Sequence, residues 1–342
     1  MLIRSKAPLR IGLAGGGTDV SPYSEIYGGA ILNATINLYA ITTIEPTNNN
    51  QIELTLGNYH QTKIFKSEKQ LPIEQPYELI IGVYNRLVKM YNLNALAFKL
   101  HTYIEAPQGS GLGTSSTLVV SIIGAFAEWL KLPLGKYDIA HLAYEIERID
   151  LGMHGGKQDQ YAATFGGINF MEFYANDKVI VNPLNIKNHI QKEMELCLLL
   201  YFTDTQRHSA KIIEEQIQNV QQKKSTSIEA THHLKEQAIS LKDYLLKGDI
   251  HKLGELLHFG WMNKKKLAGS ISNNQIDAIY EAAMQYGATG GKISGAGGGG
   301  FMFFYCPKNT KLQVTEALLK FGGRIQSFQF TFEGLTTWEI EN

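Results

Sequence analysis

Apolar and polar residues alternate early in the chain. Leu9, Ile11 and Leu13 recur at every second position, and Ile31 to Ile44 is rich in strand-forming residues, so residues 1 to about 70 read as strands and turns. The period then lengthens. Leu79, Ile80, Val83, Leu87 and Met90 keep helical spacing and predict a helix over Tyr77–Tyr91, after which Phe98–Ile104 alternates as a strand. From Ser115 to Leu130 apolar residues stand nearly all round (Leu118, Val119, Val120, Ile122, Ile123, Phe126), the mark of a buried helix. A further helix fits Lys136–Leu151, with Ile139, Leu142, Ala143, Ile146 and Ile149 on one face, and strands are expected at Ile168–Phe173 and Val179–Val181.

The character changes after about residue 190. A strand at Leu196–Phe202 precedes helical segments near 208–222, 226–247, 250–268 and 274–286. A glycine-rich loop, a strand at Phe301–Tyr305, a helix near 310–321 and β-like residues complete the pattern. No low-complexity linker or short repeat intervenes. With 342 residues, more than one core usually serves, the expectation is an α+β protein of two domains, 1–190 and 191–342, sharing a cleft.

Charge removes some functions. Lysine plus arginine and aspartate plus glutamate both total 32, so wholesale binding to nucleic acid or an anionic membrane is not expected, and any phosphate must be met by local charge. Cys197 and Cys306 lie in apolar runs and read as buried free thiols rather than a disulfide or metal site. The N-terminus lacks a signal-peptide core and the apolar run Leu196–Phe202 is too short to span a bilayer, so a cytoplasmic protein is expected. The anomaly is glycine, present 33 times and clustered, and the clusters carry the chemistry.

The most informative is Pro107-Gln-Gly-Ser-Gly-Leu-Gly-Thr-Ser-Ser116. Glycines 109, 111 and 113 let backbone amides approach a ligand closely, and the loop opens into the buried helix, whose free amides and dipole favour an anion. Thr114, Ser115 and Ser116 add hydroxyls suited to phosphate, or to magnesium held jointly with phosphate oxygens; a plain capped turn is the blander reading. No Gly-Lys-Ser or Gly-Lys-Thr closes the loop, so it is not a Walker A sequence. Gly295–Gly300 formally satisfies G-x-G-x-x-G, but the strand-like Phe301–Tyr305 follows where a dinucleotide site needs a helix, which disfavours an oxidoreductase. The first cluster, Gly15-Gly-Gly-Thr-Asp19, sets a carboxylate beside flexible backbone.

Taken together and in order, the three clusters resemble the motifs of the GHMP kinases, the superfamily of galactokinase, homoserine kinase, mevalonate kinase and phosphomevalonate kinase. Lys6-Ala-Pro-Leu-Arg10 with Gly15–Asp19 is similar to the first motif, Pro107–Ser116 to the second and Lys292–Gly300 to the third. The resemblance covers essentially the whole chain. It implies a two-domain fold with the active site in the interdomain cleft. ATP would be held by Pro107, Gly109, Ser110, Gly111, Leu112, Gly113, Thr114, Ser115 and Ser116.

The resemblance also nominates chemistry. Asp159, in Gly155-Gly-Lys-Gln-Asp-Gln-Tyr161, takes the position of the catalytic aspartate, with Arg10 and Lys157 as catalytic cations. Glu145 and Glu147 sit symmetrically at the margins of their helix's apolar face, so periodicity does not choose between them. The family's spacing to Asp159 nominates Glu147, with Ser115, as the magnesium site; Ser116 is the reserve. Gly16, Gly17, Thr18, Asp19, Gly297 and Gly298 are expected to meet the substrate. Gly15-Gly-Gly-Thr-Asp19 is similar to the heptose 7-phosphate kinases rather than to galactokinase, implying a sugar or sugar-phosphate acceptor phosphorylated at its anomeric hydroxyl. Arg207, His208, Lys264, Lys265 and Lys266 are candidates for a distal phosphate. A fucokinase-like sugar 1-kinase is the close rival, and a catalytically silent sugar sensor on the same fold the distant one.

Overall fold

The first strand changes character midway. In β1 (Leu2–Ala14) buried residues alternate as far as Ala7 and then run unbroken to Ala14, because the second half is covered on both faces. The computed structural model describes residues 1–107, 109–205 and 209–341. After β1 come α1 (Tyr23–Tyr27), β2 (Gly29–Pro46), β3 (Gln51–Leu56), β4 (Gln61–Lys66), α2 (Glu78–Met90), β5 (Phe98–Ile104), α3 (Thr114–Leu130) and α4 (Lys136–Glu145). The chain continues through α5 (Gln158–Phe165), β6 (Ile168–Phe173), β7 (Val179–Pro183), α6 (Asn188–Cys197), β8 (Leu198–Phe202), α7 (Ser209–Gln221) and α8 (Ser225–Lys247). It ends with α9 (Leu253–Lys264), α10 (Asn274–Gln285), β9 (Gly290–Ile293), β10 (Phe301–Tyr305), α11 (Lys311–Leu319), β11 (Arg324–Gln326) and β12 (Thr336–Ile340).

These elements form a mixed α+β architecture around two sheets. The larger runs β12-β1-β2-β5-β3-β4, with β6 and β7 added beside the first half of β2, and the smaller runs β11-β8-β10-β9. One face of the large sheet packs on α2 and α3 through Ile44, Leu54, Ile80, Val119, Ile122 and Phe126. The other forms a continuous core with the second half of the chain, where Leu9, Ile11, Leu32 and Ala34 meet Leu200, Leu241, Leu257 and Phe301. Apolar contact across the middle of the molecule holds the cleft walls in register.

Several expectations need correction. The C-terminal strand, placed on sequence in the second domain, returns to the first: β12 pairs antiparallel with β1, Leu2 opposite Ile340 through Lys6 opposite Thr336, and covers an otherwise open edge. Leu196 and Cys197 close the helix α6 rather than open a strand; Ile190, Met194 and Cys197 are its buried face. The helix expected over Lys136–Leu151 is α-helical only to Glu145, and Ile146–Asp150 forms a wider π turn. Gly295–Gly300 leads directly into the strand β10, as its apolar run implies. Cys197 and Cys306 are buried free thiols, and among the described residues no helix is long and apolar enough to cross a membrane.

Candidate active site

The phosphate-loop sequence folds as its glycines require. Gly109, Gly111 and Gly113 all have left-handed backbone, with φ of 73°, 83° and 79°, while Ser110 and Leu112 between them turn inward and are fully buried. Alternating conformations of this kind turn successive amides toward one side and make an anion-binding concavity. Gly113 caps α3 without a side-chain hydrogen bond, so the first-turn amides of Thr114, Ser115 and Ser116 have no capping side chain. The third glycine cluster braces this loop from behind. Phe301 donates its amide to the Ser110 carbonyl (2.8 Å), and the Ser294 hydroxyl donates to that of Gly111 (2.9 Å).

Arg10 ties the loop to Asp159. Its Nε and Nη2 donate to Asp159 Oδ1 at 2.7 and 2.6 Å, and its Nη1 donates to the Gly111 carbonyl at 2.6 Å. The guanidinium is almost wholly buried, whereas the carboxylate keeps 21% of its side-chain surface and so faces the cleft. Oδ2 lies under the loop: a Cβ on Gly113 would come within 3.1 Å of it. One carboxylate oxygen is anchored and the other is presented at the loop's mouth.

Asp19 stands on the same unit. Its Oδ2 accepts the amides of Lys157 (2.9 Å) and Gln158 (3.0 Å), the two residues immediately before Asp159. Burial pushes the Asp19 carboxyl above its ordinary range, against the pull of the Gln158 amide and with help from the Asp159 charge. The contact needs Gly156, where a Cβ would lie 1.9 Å from Asp19 Oδ2. Arg10, Asp19, Asp159, Gly12, Gly16, Gly17, Gln158 and Lys292 line one cleft.

Other sequence candidates lie elsewhere. Lys157 turns its ammonium away from Asp159 to pair with Glu25 and Asp177, each at 2.8 Å; burial lowers its proton affinity, but these hydrogen bonds outweigh that and raise it. Lys157, nominated as a catalytic cation, meets the site here through its backbone amide, which donates to Asp19. Thr18 spends its hydroxyl on both the amide and carbonyl of Ala30. Gly297 packs against Ile271 and Gly298 donates its amide to the Ile271 carbonyl, so Gly295 and Ala296 line the cleft instead. Pro107 and Leu112 shape the loop, Leu112 from the core.

Glu147 reaches the first turn of α3 because of the π turn. Its carboxylate is 1% exposed and accepts the Ser116 hydroxyl (3.0 Å) and the Gln160 amide (2.5 Å). Glu145 instead faces outward to Arg86. Ser115, half-buried, is next to Ser116 at the helix start. These all-oxygen donors fit magnesium, which binds few protein ligands and completes its shell with water and phosphate oxygens. Among the described residues no cluster of three or more His, Cys, Asp or Glu forms a self-sufficient metal cage.

The lysine run divides by geometry. Lys264, the last residue of α9, is 2% exposed, lines the cleft and donates to the Gly16 carbonyl (3.3 Å). Lys265 pairs with Asp277 (3.2 Å) and Lys266 is exposed. Arg207 and His208 lie outside the described residues. Sequence reasoning assigned no role to Lys292, Gln158, Gln160 or Gln216. Lys292 opens the third glycine motif, which was its available signal; nothing local marked the glutamines.

A glycine phosphate loop facing two carboxylates in one cleft defines a small-molecule kinase. The chain matches the GHMP kinase N-terminal domain over residues 78–167 and the C-terminal domain over 241–324. It is 47% identical over 338 residues, 99% of both chains, to a D-glycero-alpha-D-manno-heptose 7-phosphate kinase from Campylobacter jejuni. A crystal structure of a D-glycero-D-manno-heptose 1-phosphate kinase from Bacteroides thetaiotaomicron superposes with a TM-score of 0.86 at 49% identity, covering 99% of this chain and 100% of that one. A bifunctional fucokinase/GDP-fucose pyrophosphorylase from Arabidopsis thaliana is 27% identical over 86% of this chain, which spans 29% of its length. The chain belongs to the GHMP kinase family. It is a phosphotransferase with an alcohol group as acceptor.

Proposed function

We propose that the protein is an ATP-dependent sugar kinase that phosphorylates the anomeric hydroxyl of D-glycero-D-manno-heptose 7-phosphate. The carrying observation is the pair of carboxylates on one rigid unit: Asp159 at the mouth of the phosphate loop, and Asp19 held by the two amides just before it. Phosphoryl transfer has a loose transition state, so catalysis rests mainly on positioning and charge stabilisation. Asp159 Oδ2 accepts the attacking hydroxyl's hydrogen and takes up its proton as the bond to the γ-phosphorus forms, while the bond from that phosphorus to the bridging oxygen breaks and ADP leaves. Asp19 fixes a neighbouring ring hydroxyl, and Arg10 keeps positive charge beside the transferring group. The relatives above support a heptose as acceptor, although their names place its phosphate differently, on carbon 7 or carbon 1.

Steady-state kinetics on heptose 7-phosphate, heptose, mannose 6-phosphate and fucose test this reading, with phosphorus NMR locating the new ester. Heptose 7-phosphate is expected to exceed unphosphorylated heptose in kcat/KM by about 10–1000-fold, the range of a buried charge-paired contact. Superior use of fucose would replace the heptose reading with the fucokinase-like one.

Ser115 and Glu147 would hold magnesium, which would neutralise charge on the phosphate oxygens of the nucleotide. Ser116 and Gln160 orient the Glu147 carboxylate. Glu147→Gln and Ser115→Ala are each expected to raise the magnesium concentration for half-maximal activity by about tenfold or more, and Ser116→Ala by less. A larger effect in Ser116→Ala would exchange the roles of the two serines.

A further inference from the structure

At the end of the cleft formed by Gly16 and Gly17, two lysines converge. A Cβ on Gly16 would stand 3.6 Å from Lys264 Nζ and 3.7 Å from Lys292 Nζ. Those are ordinary contact distances, and the backbone of Gly16 is not left-handed, so neither conformation nor packing demands glycine there. What the missing side chain leaves is room for a ligand atom in van der Waals contact with two ammonium groups.

Lys292 is costly as it stands. It is 4% exposed, beside Lys264 at 2%, and a buried charge is unfavourable without an opposite one. Lys292 donates to the Gly12 carbonyl (3.0 Å) and makes no ion pair among the described residues. Burial first, and then the nearby charges of Lys264 and Arg10, hold its proton affinity well below that of an ordinary lysine. A residue lining the same cleft carries an unsatisfied donor: Gln216 is 6% exposed, and its buried Nε2 has no hydrogen-bond partner among the described residues.

We propose that Lys264, Lys292 and Gln216 Nε2 form the receptor for the phosphate that the acceptor already carries, away from the phosphoryl group being transferred. A phosphate monoester dianion sets negative charge against the two lysines that meet beside Gly16 and offers an acceptor oxygen to the glutamine. Gly16 provides the room. The proposal rests on the reading of the acceptor as a phosphorylated sugar, and it makes this pocket the element that separates phosphorylated from plain sugars.

The test is the ratio of kcat/KM for heptose 7-phosphate to that for heptose, in wild type and in Lys264→Met, Lys292→Met and Gln216→Leu. The lysine variants are expected to lower this ratio by about 10–100-fold, and Gln216→Leu by about threefold to tenfold. Gly16→Ala is a second, less disruptive probe and is expected to raise KM for heptose 7-phosphate more than for heptose. Thermal melts identify variants that fail to fold, and Gly16→Ala and Gln216→Leu then carry the test. A wild-type ratio well above one that the variants leave unchanged overturns the receptor and spares the acceptor reading. Equal losses with both acceptors also overturn it, and assign the lysines to the transferring phosphoryl group. A wild-type ratio near one removes the phosphorylated acceptor and the receptor together.

Discussion

Asp159→Asn is expected to lower kcat by about 10²–10⁴ while nucleotide affinity changes little, the range for losing a positioned proton acceptor. The substitution keeps the side-chain volume and alters charge and proton affinity. Its consequence follows from how the two carboxylate oxygens are used. Oδ1 takes both N–H groups of Arg10, whereas Oδ2 lies beneath Gly113 at the mouth of the phosphate loop. An asparagine can keep its carbonyl on Arg10 and must then present an amide where the acceptor hydroxyl approaches. Arg10 retains its hydrogen bond to the Gly111 carbonyl, so the loop keeps one of its ties. A buried arginine deprived of its carboxylate can cost about 3–5 kcal/mol of stability, so a thermal melt must accompany the kinetics. Single-turnover rates at saturating nucleotide and acceptor give the decisive measurement. Turnover near that of wild type would remove Asp159 from the chemistry.

Asp19→Asn is expected to reduce kcat/KM for the sugar by about 10²–10³ and to leave KM for ATP within about threefold, because a hydrogen bond to a charged acceptor is about twice as strong as a neutral one. The amides of Lys157 and Gln158 both bind one oxygen of the carboxylate. An asparagine oxygen can satisfy these donors, so the loop should hold. The second position then becomes an NH2 group, which donates where a ring hydroxyl needs an acceptor. Gly156→Ala approaches the same oxygen from the other side, since its Cβ would collide with Asp19 Oδ2, and should reproduce the defect. Measuring KM for both substrates separates acceptor recognition from nucleotide binding. If ATP use falls in parallel with sugar use, Asp19 is a structural carboxylate rather than a sugar contact.

How much of this was legible depended on the range of each interaction. The buried helix α3 was plain from its all-round apolar residues, and the loop before it from three alternating glycines that the structure holds at positive φ. Both are local: a short window contains the period or the conformational requirement. The helix α6 was missed although Ile190, Met194 and Cys197 keep helical spacing, because the residues around them are polar and the following run reads as a strand. The three consecutive lysines could not be told apart by composition. Only the end of α9 against the Gly16 loop turns Lys264 into the cleft and leaves Lys266 in water.

Glu145 and Glu147 draw the same line most sharply. An ideal helix puts them symmetrically at the edges of one apolar face, and the choice of Glu147 came from resemblance. In the structure the π turn at Ile146–Asp150 breaks that symmetry, carrying Glu147 to Ser116 and Gln160 while Glu145 pairs outside with Arg86. Lys157 shows the reverse, a cation adjacent in sequence to the site whose charge Glu25 and Asp177 draw away from it. By itself the sequence determined the secondary-structure periods and the three glycine clusters, since each is written in neighbouring residues, and the clusters' resemblance to the GHMP motifs implied the kinase class. Tertiary structure alone decided which side chains meet, because Arg10, Asp159 and Lys292 come from elements over a hundred residues apart and only packing of the two sheets brings them into one cleft.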